Sequence, residues 1–156
     1  MTAENPKKDE GFVLVTVAVL LVALIGFVAL AVDVGVLYGA RTSVQVVADA
    51  AALAGAFTFI NNPTASQPAT ASSHALEVAL NNSILGQPVT AGDVTVNVDV
   101  TNRMVTVNVT SNQNTYFGGV LGVTTANIAT EGIAEAAEYS TGATCVKPWF
   151  IPNTVF

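Results

Sequence analysis

The residues able to do chemistry are few and far apart. The chain has one histidine, His74, and one cysteine, Cys145, and its carboxylates are scattered along it. Nucleophilic catalysis needs a nucleophile with a base beside it and a group orienting that base, and no such set can be assembled from these positions. His74 has no set of Cys, Asp or Glu partners at metal-ligand spacing. Gly118, Gly119 and Gly122 form a glycine-rich stretch, but no lysine or Ser/Thr of the phosphate-loop pattern accompanies them. The expectation is a protein that is not an enzyme, with no cofactor, metal or small-molecule substrate. Beyond Arg41 the basic residues are Arg103 and Lys147, against the acidic Asp49, Glu77, Asp93, Asp99, Glu131, Glu135 and Glu138. That balance excludes a surface built for a phosphate backbone, and hence a nucleic-acid partner. A single cysteine likewise rules out an internal disulfide framework, so the fold must rest on packing.

One carboxylate stands apart. Asp33 directly follows FVLVTVAVLLVALIGFVALAV, residues 12–32, in which Thr16 is the only polar side chain. At about 1.5 Å per residue this helix would be roughly 31 Å long, the thickness of a hydrocarbon core. The run is longer than the apolar stretch of a secretory signal peptide. Lys7 and Lys8 precede it, so the positive-inside rule predicts a single pass with a cytoplasmic N-terminal segment, 1–11, a transmembrane helix, 12–32, and everything beyond outside the membrane. Asp33 is then an interfacial charge, either a boundary residue facing water and headgroups or a carboxylate seeking a partner within a helix bundle.

No proline or turn cluster follows until Asn61-Asn62-Pro63, so the helix is expected to continue through 33–60. Leu37, Val44, Val47 and Ala51 fall on one face, and Arg41, Gln45 and Asp49 form a polar stripe. Gly35, Gly39, Ser43, Ala51 and Gly55 recur at multiples of four, and Ala48, Ala52 and Ala56 make a second row. Small side chains let helix backbones approach where lipid supplies no hydrophobic drive, so the first row is the candidate helix-association surface. The alternative is a rigid alanine-rich stalk packed on its own domain.

These residues carry a resemblance. The apolar span followed by Ala31, Val32, Asp33, Gly35, Tyr38, Arg41 and the run Ala48 to Ala56 resembles the N-terminal segment of the TadE/TadG-like proteins of Flp (Tad) pilus assembly. The resemblance covers about a third of the chain. It implies an envelope protein, related in architecture to pilins, that forms or supports a surface filament. Gly11-Phe12 looks like the junction after a pilin leader, with Thr16 where pilins usually carry glutamate. Longer members of the family carry a large extra domain for which this chain has no room.

Residues 61–156 are expected to form a small α+β ectodomain. Asn61 to Thr70 is a polar, proline-containing linker, and Ala71 to Leu85 places Leu76, Ala79, Leu80 and Ile84 at helical spacing. Asp93 to Thr101 and Arg103 to Thr110 alternate valine with polar residues, the pattern of a hairpin. A turn centred on Asn102-Arg103 would pair Val100 with Val105, Val98 with Val107 and Val96 with Val109 on one face. That face needs a cover, and Val44, Val47 and Ala51 are the candidates. A helical turn near Tyr116 to Val123 and a third strand over Thr125 to Glu131 complete the domain. The C-terminal stretch gathers Trp149, Phe150 and Ile151 between prolines as an extended tail, which folds back on its own domain or docks on a partner subunit. Cys145 beside it is either a small buried hydrophobe or half of an intermolecular disulfide.

The fold expected is therefore α+β, a long N-terminal transmembrane helix packed on a small antiparallel sheet, pilin-like. The function expected is a structural subunit or membrane-anchored assembly component of a Tad/Flp-type filament, with itself, other pilin-like subunits and membrane lipid as partners, located at the cell membrane or in an extracellular filament. The alternative is a membrane-tethered binding module with no filament role.

Overall fold

The computed structural model describes residues 7–61 and 68–137. One uninterrupted helix, α1 (Lys7–Asn61), runs through Asp33 without a break. Its 55 residues make a rod of about 82 Å at 1.5 Å per residue. Thr16, the polar residue of the span, donates its hydroxyl to the Phe12 carbonyl one turn back at 2.9 Å, so it needs no partner outside its own helix.

The remaining elements gather around the second half of this rod. Helix α2 (Pro68–Leu80) begins at a proline, whose missing N–H costs nothing in a first turn. It is followed by a two-residue hairpin, β1 (Ser83–Ile84) and β2 (Gln87–Pro88), and by a three-stranded antiparallel sheet. The sheet is formed by β3 (Val94–Asp99), β4 (Met104–Asn114) and β5 (Thr125–Glu135), with β4 in the middle. Val105, Val107 and Val109 of β4 are wholly buried, and Val94, Val96 and Val98 of β3 pack against the same core. Val44, Val47 and Ala51 of α1 are buried opposite them, as the need to cover a valine face required. α1 lies over β4 and β5, and α2 lies over β3. The result is α+β, with a long apolar helix packed against small antiparallel sheets in a pilin-like arrangement.

Close approach of helix to sheet depends on Gly132 in β5. A Cβ there would overlap the carbonyl group of Ala48 and the amide nitrogen of Asp49, so the α1 backbone rests directly on the strand. Gln45 fastens the same contact, donating from Nε2 to the Glu131 carbonyl at 3.0 Å and to Asp49 Oδ1 at 2.8 Å. Thr130, next to this contact, has a buried hydroxyl with no hydrogen-bond partner.

Four expectations need correction. The hairpin register differs by two residues: Val98 pairs with Val105, Val96 with Val107 and Val94 with Val109. A two-residue type I′ turn on Asn102-Arg103 would need positive φ at both positions. The four-residue loop Val100–Arg103 needs it only at Arg103, at +50°, and Asp99 accepts hydrogen bonds from the Thr101 and Asn102 amides to hold it. A slip of two keeps every valine on the same face, so the valine face stands although the partners change. The second correction concerns α2, which ends at Leu80 instead of Leu85. Asn82 donates to the Val78 carbonyl at 2.7 Å, and Leu85 and Gly86 take positive φ to turn the chain into the small hairpin, where Ile84 is buried. Thirdly, the buried face of α2 is Ala71, Ala75 and Ala79, while Leu80 is exposed. β5 also extends four residues past the expected end, to Glu135.

Candidate functional site

Asp33 is a buried position within an exposed stretch of α1. From Phe12 to Val32 the large apolar side chains are exposed on every side, with only the loop around Phe117 and Val120 near them among the described residues, whereas Asp33 is only 6% exposed. Its carboxylate is clasped by the loop between β4 and β5. Tyr116 N–H donates to Oδ1 at 2.8 Å, Phe117 N–H to Oδ2 at 3.0 Å, and Gly118 N–H to Oδ2 at 2.6 Å. These amides lead into a short 3₁₀ turn (Gly118–Leu121), so three successive backbone donors converge on one anion. Burial alone would raise the Asp33 pKa, but the three amides outweigh it and hold the carboxyl below its ordinary value. Neither expected setting describes this charge: its partners are the amides of the chain's own loop, not water and headgroups and not a helix bundle.

The loop partners of Asp33 were not legible in the sequence, because backbone amides leave no side-chain signature. The available hint was the juxtaposition of glycines with apolar residues in YFGGVLGV, residues 116–123, a stretch too apolar for a solvated turn.

The small-residue row divides between two surfaces. Residues four apart on an α-helix drift by about 40° per step, so Gly35 and Gly55 point to nearly opposite sides. Ala51 and Gly55 are buried in the chain's own core. A Cβ on Gly55 would come within 2.9 Å of Val105 Cγ1 and 3.2 Å of Ala75 Cβ, so this glycine admits β4 and α2. Those two positions are therefore occupied within the chain and unavailable to another helix. Ser43 is half-buried, and Gly39 is exposed with Leu85 at its side. Gly35 has no atom of the chain near its missing Cβ, so a second helix could approach there.

Residues 11–58 match the family model "Putative Flp pilus-assembly TadE/G-like". The matched segment is most of α1, from the start of the span to the end of the alanine-rich half, and Asp33 and Gly35 lie within it. No curated protein and no solved structure matches the chain. The TadE/G-like segment thus combines a lipid-compatible half, a clasped carboxylate and a half packed on the ectodomain.

The other candidate residues separate from this site. Gly11 and Phe12, the junction resembling a leader cleavage point, lie inside α1 and are exposed. His74 is on the exposed side of α2. Among the described residues no group of three or more His, Cys, Asp or Glu comes together in a way that could hold a metal. Cys145, Trp149, Phe150 and Ile151 lie outside the described residues.

Proposed function

We propose that the chain is a pilin-like structural subunit or membrane-anchored assembly component of a Tad/Flp-type surface filament, held in the membrane by residues 12–32 and associating with copies of itself or with pilin-like partners through the uncovered part of α1. The observation that carries this reading is the coincidence of the TadE/G-like match with a helix whose first half is largely exposed among the described residues. A helix apolar all round is suited to lipid or to other helices. Among the described residues one helix, Gly11–Asn61, is long and apolar enough to cross a membrane. Lys7 and Lys8 at its start favour a cytoplasmic N-terminus and an ectodomain on the outer face. The ectodomain, by covering residues 40–59, leaves Gly35 and Gly39 as the small-residue positions facing outward.

The test is replacement of Gly35 and Gly39 by leucine. Leucine keeps the helix apolar while holding neighbouring backbones apart, so membrane insertion is retained and crosslinking between membrane-embedded chains is lost, together with surface fibres. At Gly35 an added Cβ has no described atom of its own chain within 4 Å, so Gly35→Leu alone separates association from folding. Unchanged crosslinking and fibre yield would remove this surface from the interface and favour a tethered binding module.

A further inference from the structure

The loop that clasps Asp33 carries more exposed apolar surface than a water-facing turn would. Val120 is 88% exposed and Tyr116 is 73% exposed, and Phe117 and Val123 are each about half exposed. Phe117, Gly118 and Val120 face Val22, Ile25, Gly26, Ala29 and Leu30 of α1 across a largely apolar groove of about 320 Å³ that Asp33 also lines. Val22 precedes Asp33 by eleven residues, or about 16 Å of helix, so the groove runs along the span itself.

The loop's backbone suits that position. Irregular backbone at membrane depth is tolerated only where its polar groups find partners within the protein. Here the Tyr116, Phe117 and Gly118 amides donate to Asp33. The Val120 amide donates to the Phe117 carbonyl, Gly122 to Gly119, and Val123 to Gly118. At the neck of the loop, Thr115 N–H donates to the Thr124 carbonyl, and the Thr115 hydroxyl to the Val123 carbonyl. The amides of Thr115, Tyr116, Phe117, Gly118, Val120, Gly122 and Val123 thus find partners within the chain while Phe117, Val120 and Val123 expose apolar side chains. Tyr116 and Phe117 stand at the level of Asp33, where aromatic residues collect at membrane interfaces.

We propose that residues 115–124 form a second membrane contact, in which Phe117, Val120 and Val123 enter the leaflet on the ectodomain side, a lipid acyl chain fills the groove beside α1, and Asp33 holds the loop at that depth. This rests on the reading of residues 12–32 as a membrane span. Lipid is the occupant because the groove and the loop continue the uncovered surface of that span without a break. Asp33 accordingly acts as a latch whose charge is solvated by amides instead of water. The loop would fix the tilt and height of the ectodomain above the bilayer, which a single helix leaves free to rotate.

The test uses the full chain with Cys145→Ser, reconstituted in phosphatidylcholine–phosphatidylglycerol vesicles containing spin-labelled lipids. A fluorophore is attached at one engineered cysteine: Val120→Cys in the loop, Leu20→Cys in the span, or Asn97→Cys on the solvent side of the sheet. Lipid quenching is expected at Leu20 and Val120 and absent at Asn97. Adding Asp33→Ala should abolish quenching at Val120 and leave it at Leu20. Quenching at Leu20 with none at Val120 would overturn the proposal while the anchor stands. Absence of quenching at both would overturn the anchor and the proposal with it. A Val120 label shielded from lipid but crosslinking to a second copy would also overturn it, assigning the loop to a contact between subunits. Full quenching at Val120 in the Asp33→Ala chain would overturn the latch.

Discussion

Two stretches of one helix, residues 12–32 and 40–59, are both strongly apolar, yet among the described residues the first is exposed almost all round, whereas the second has one side buried in its own domain and Val46, Leu53 and Phe57 exposed on the other. In the first, Val, Leu, Ile and Phe are distributed around the whole circumference and no face is set apart. In the second, the buried positions Ala40, Val44, Val47, Ala48, Ala51, Ala52, Ala56 and Phe59 are mostly small and gather on one side of the helix, with Gln45 at its border. Hydrophobicity alone therefore does not determine what covers a helix. Large side chains on every face keep a folded domain at a distance and leave lipid or other helices as the cover, whereas small residues on one face let a sheet and a second helix close to backbone contact. Ala71, Ala75 and Ala79 of α2 follow the same rule from the other side, and Gly132 carries it to its limit where the α1 backbone rests on β5.

The largest effect expected from breaking this contrast comes from charging the covered side. Val107→Asp places an unpaired carboxylate in the centre of the valine face and should cost about 4 kcal/mol or more, a large part of the 5–15 kcal/mol that holds a typical domain together. Asn97→Asp on the exposed face of β3 should change stability by no more than about 0.5 kcal/mol. Limited proteolysis of the two variants checks this, and equal susceptibility would contradict the assignment of faces. It would not distinguish the observed register from one slipped by two residues, since both put the valines inside.

That ambiguity shows how far the sequence could be read. The period-2 alternation of valine specified which face of the hairpin is buried, and the unbroken apolar and alanine-rich pattern specified one long helix. The pairing partners depended on the loop conformation, where the single positive φ at Arg103 and the Asp99 hydrogen bonds favoured a four-residue turn. Helix α2 was misjudged at its end and on its buried face because leucine at helical spacing carries a stronger hydrophobic signal than alanine, although only alanine is small enough to meet α1 at this distance. Gly132 was unremarkable as a letter in a strand. The Asp33 clasp was hidden for a different reason, since its donors are peptide groups some eighty residues away in sequence.

A smaller effect sharpens the boundary between the two halves of α1. Asp33 has a folded pKa depressed below the ordinary carboxylate value of about 3.9, so its contribution to docking the loop is complete above that value and is lost as pH falls through the lower, folded pKa. In micelles, the Tyr116, Phe117 and Gly118 amide resonances should move together with one midpoint below about 3.9, and the movement should vanish in Asp33→Asn. Asp99, depressed chiefly by the Asn102 side chain and next by its backbone amide, supplies an internal comparison through the Thr101 and Asn102 amides. A midpoint for the Tyr116–Gly118 group at or above the ordinary value would contradict the clasp.

The most direct test of the division along α1 is oxidative crosslinking of single cysteines in membranes, in a Cys145→Ser background, at Gly35 and at Ala51. The two positions lie on the same helix within the same TadE/G-like segment, but one is open and the other is wholly buried against the sheet and α2. The account predicts that Gly35→Cys joins neighbouring chains and that Ala51→Cys does not. Crosslinking at Ala51 equal to that at Gly35, or at Ala51 alone, would contradict it.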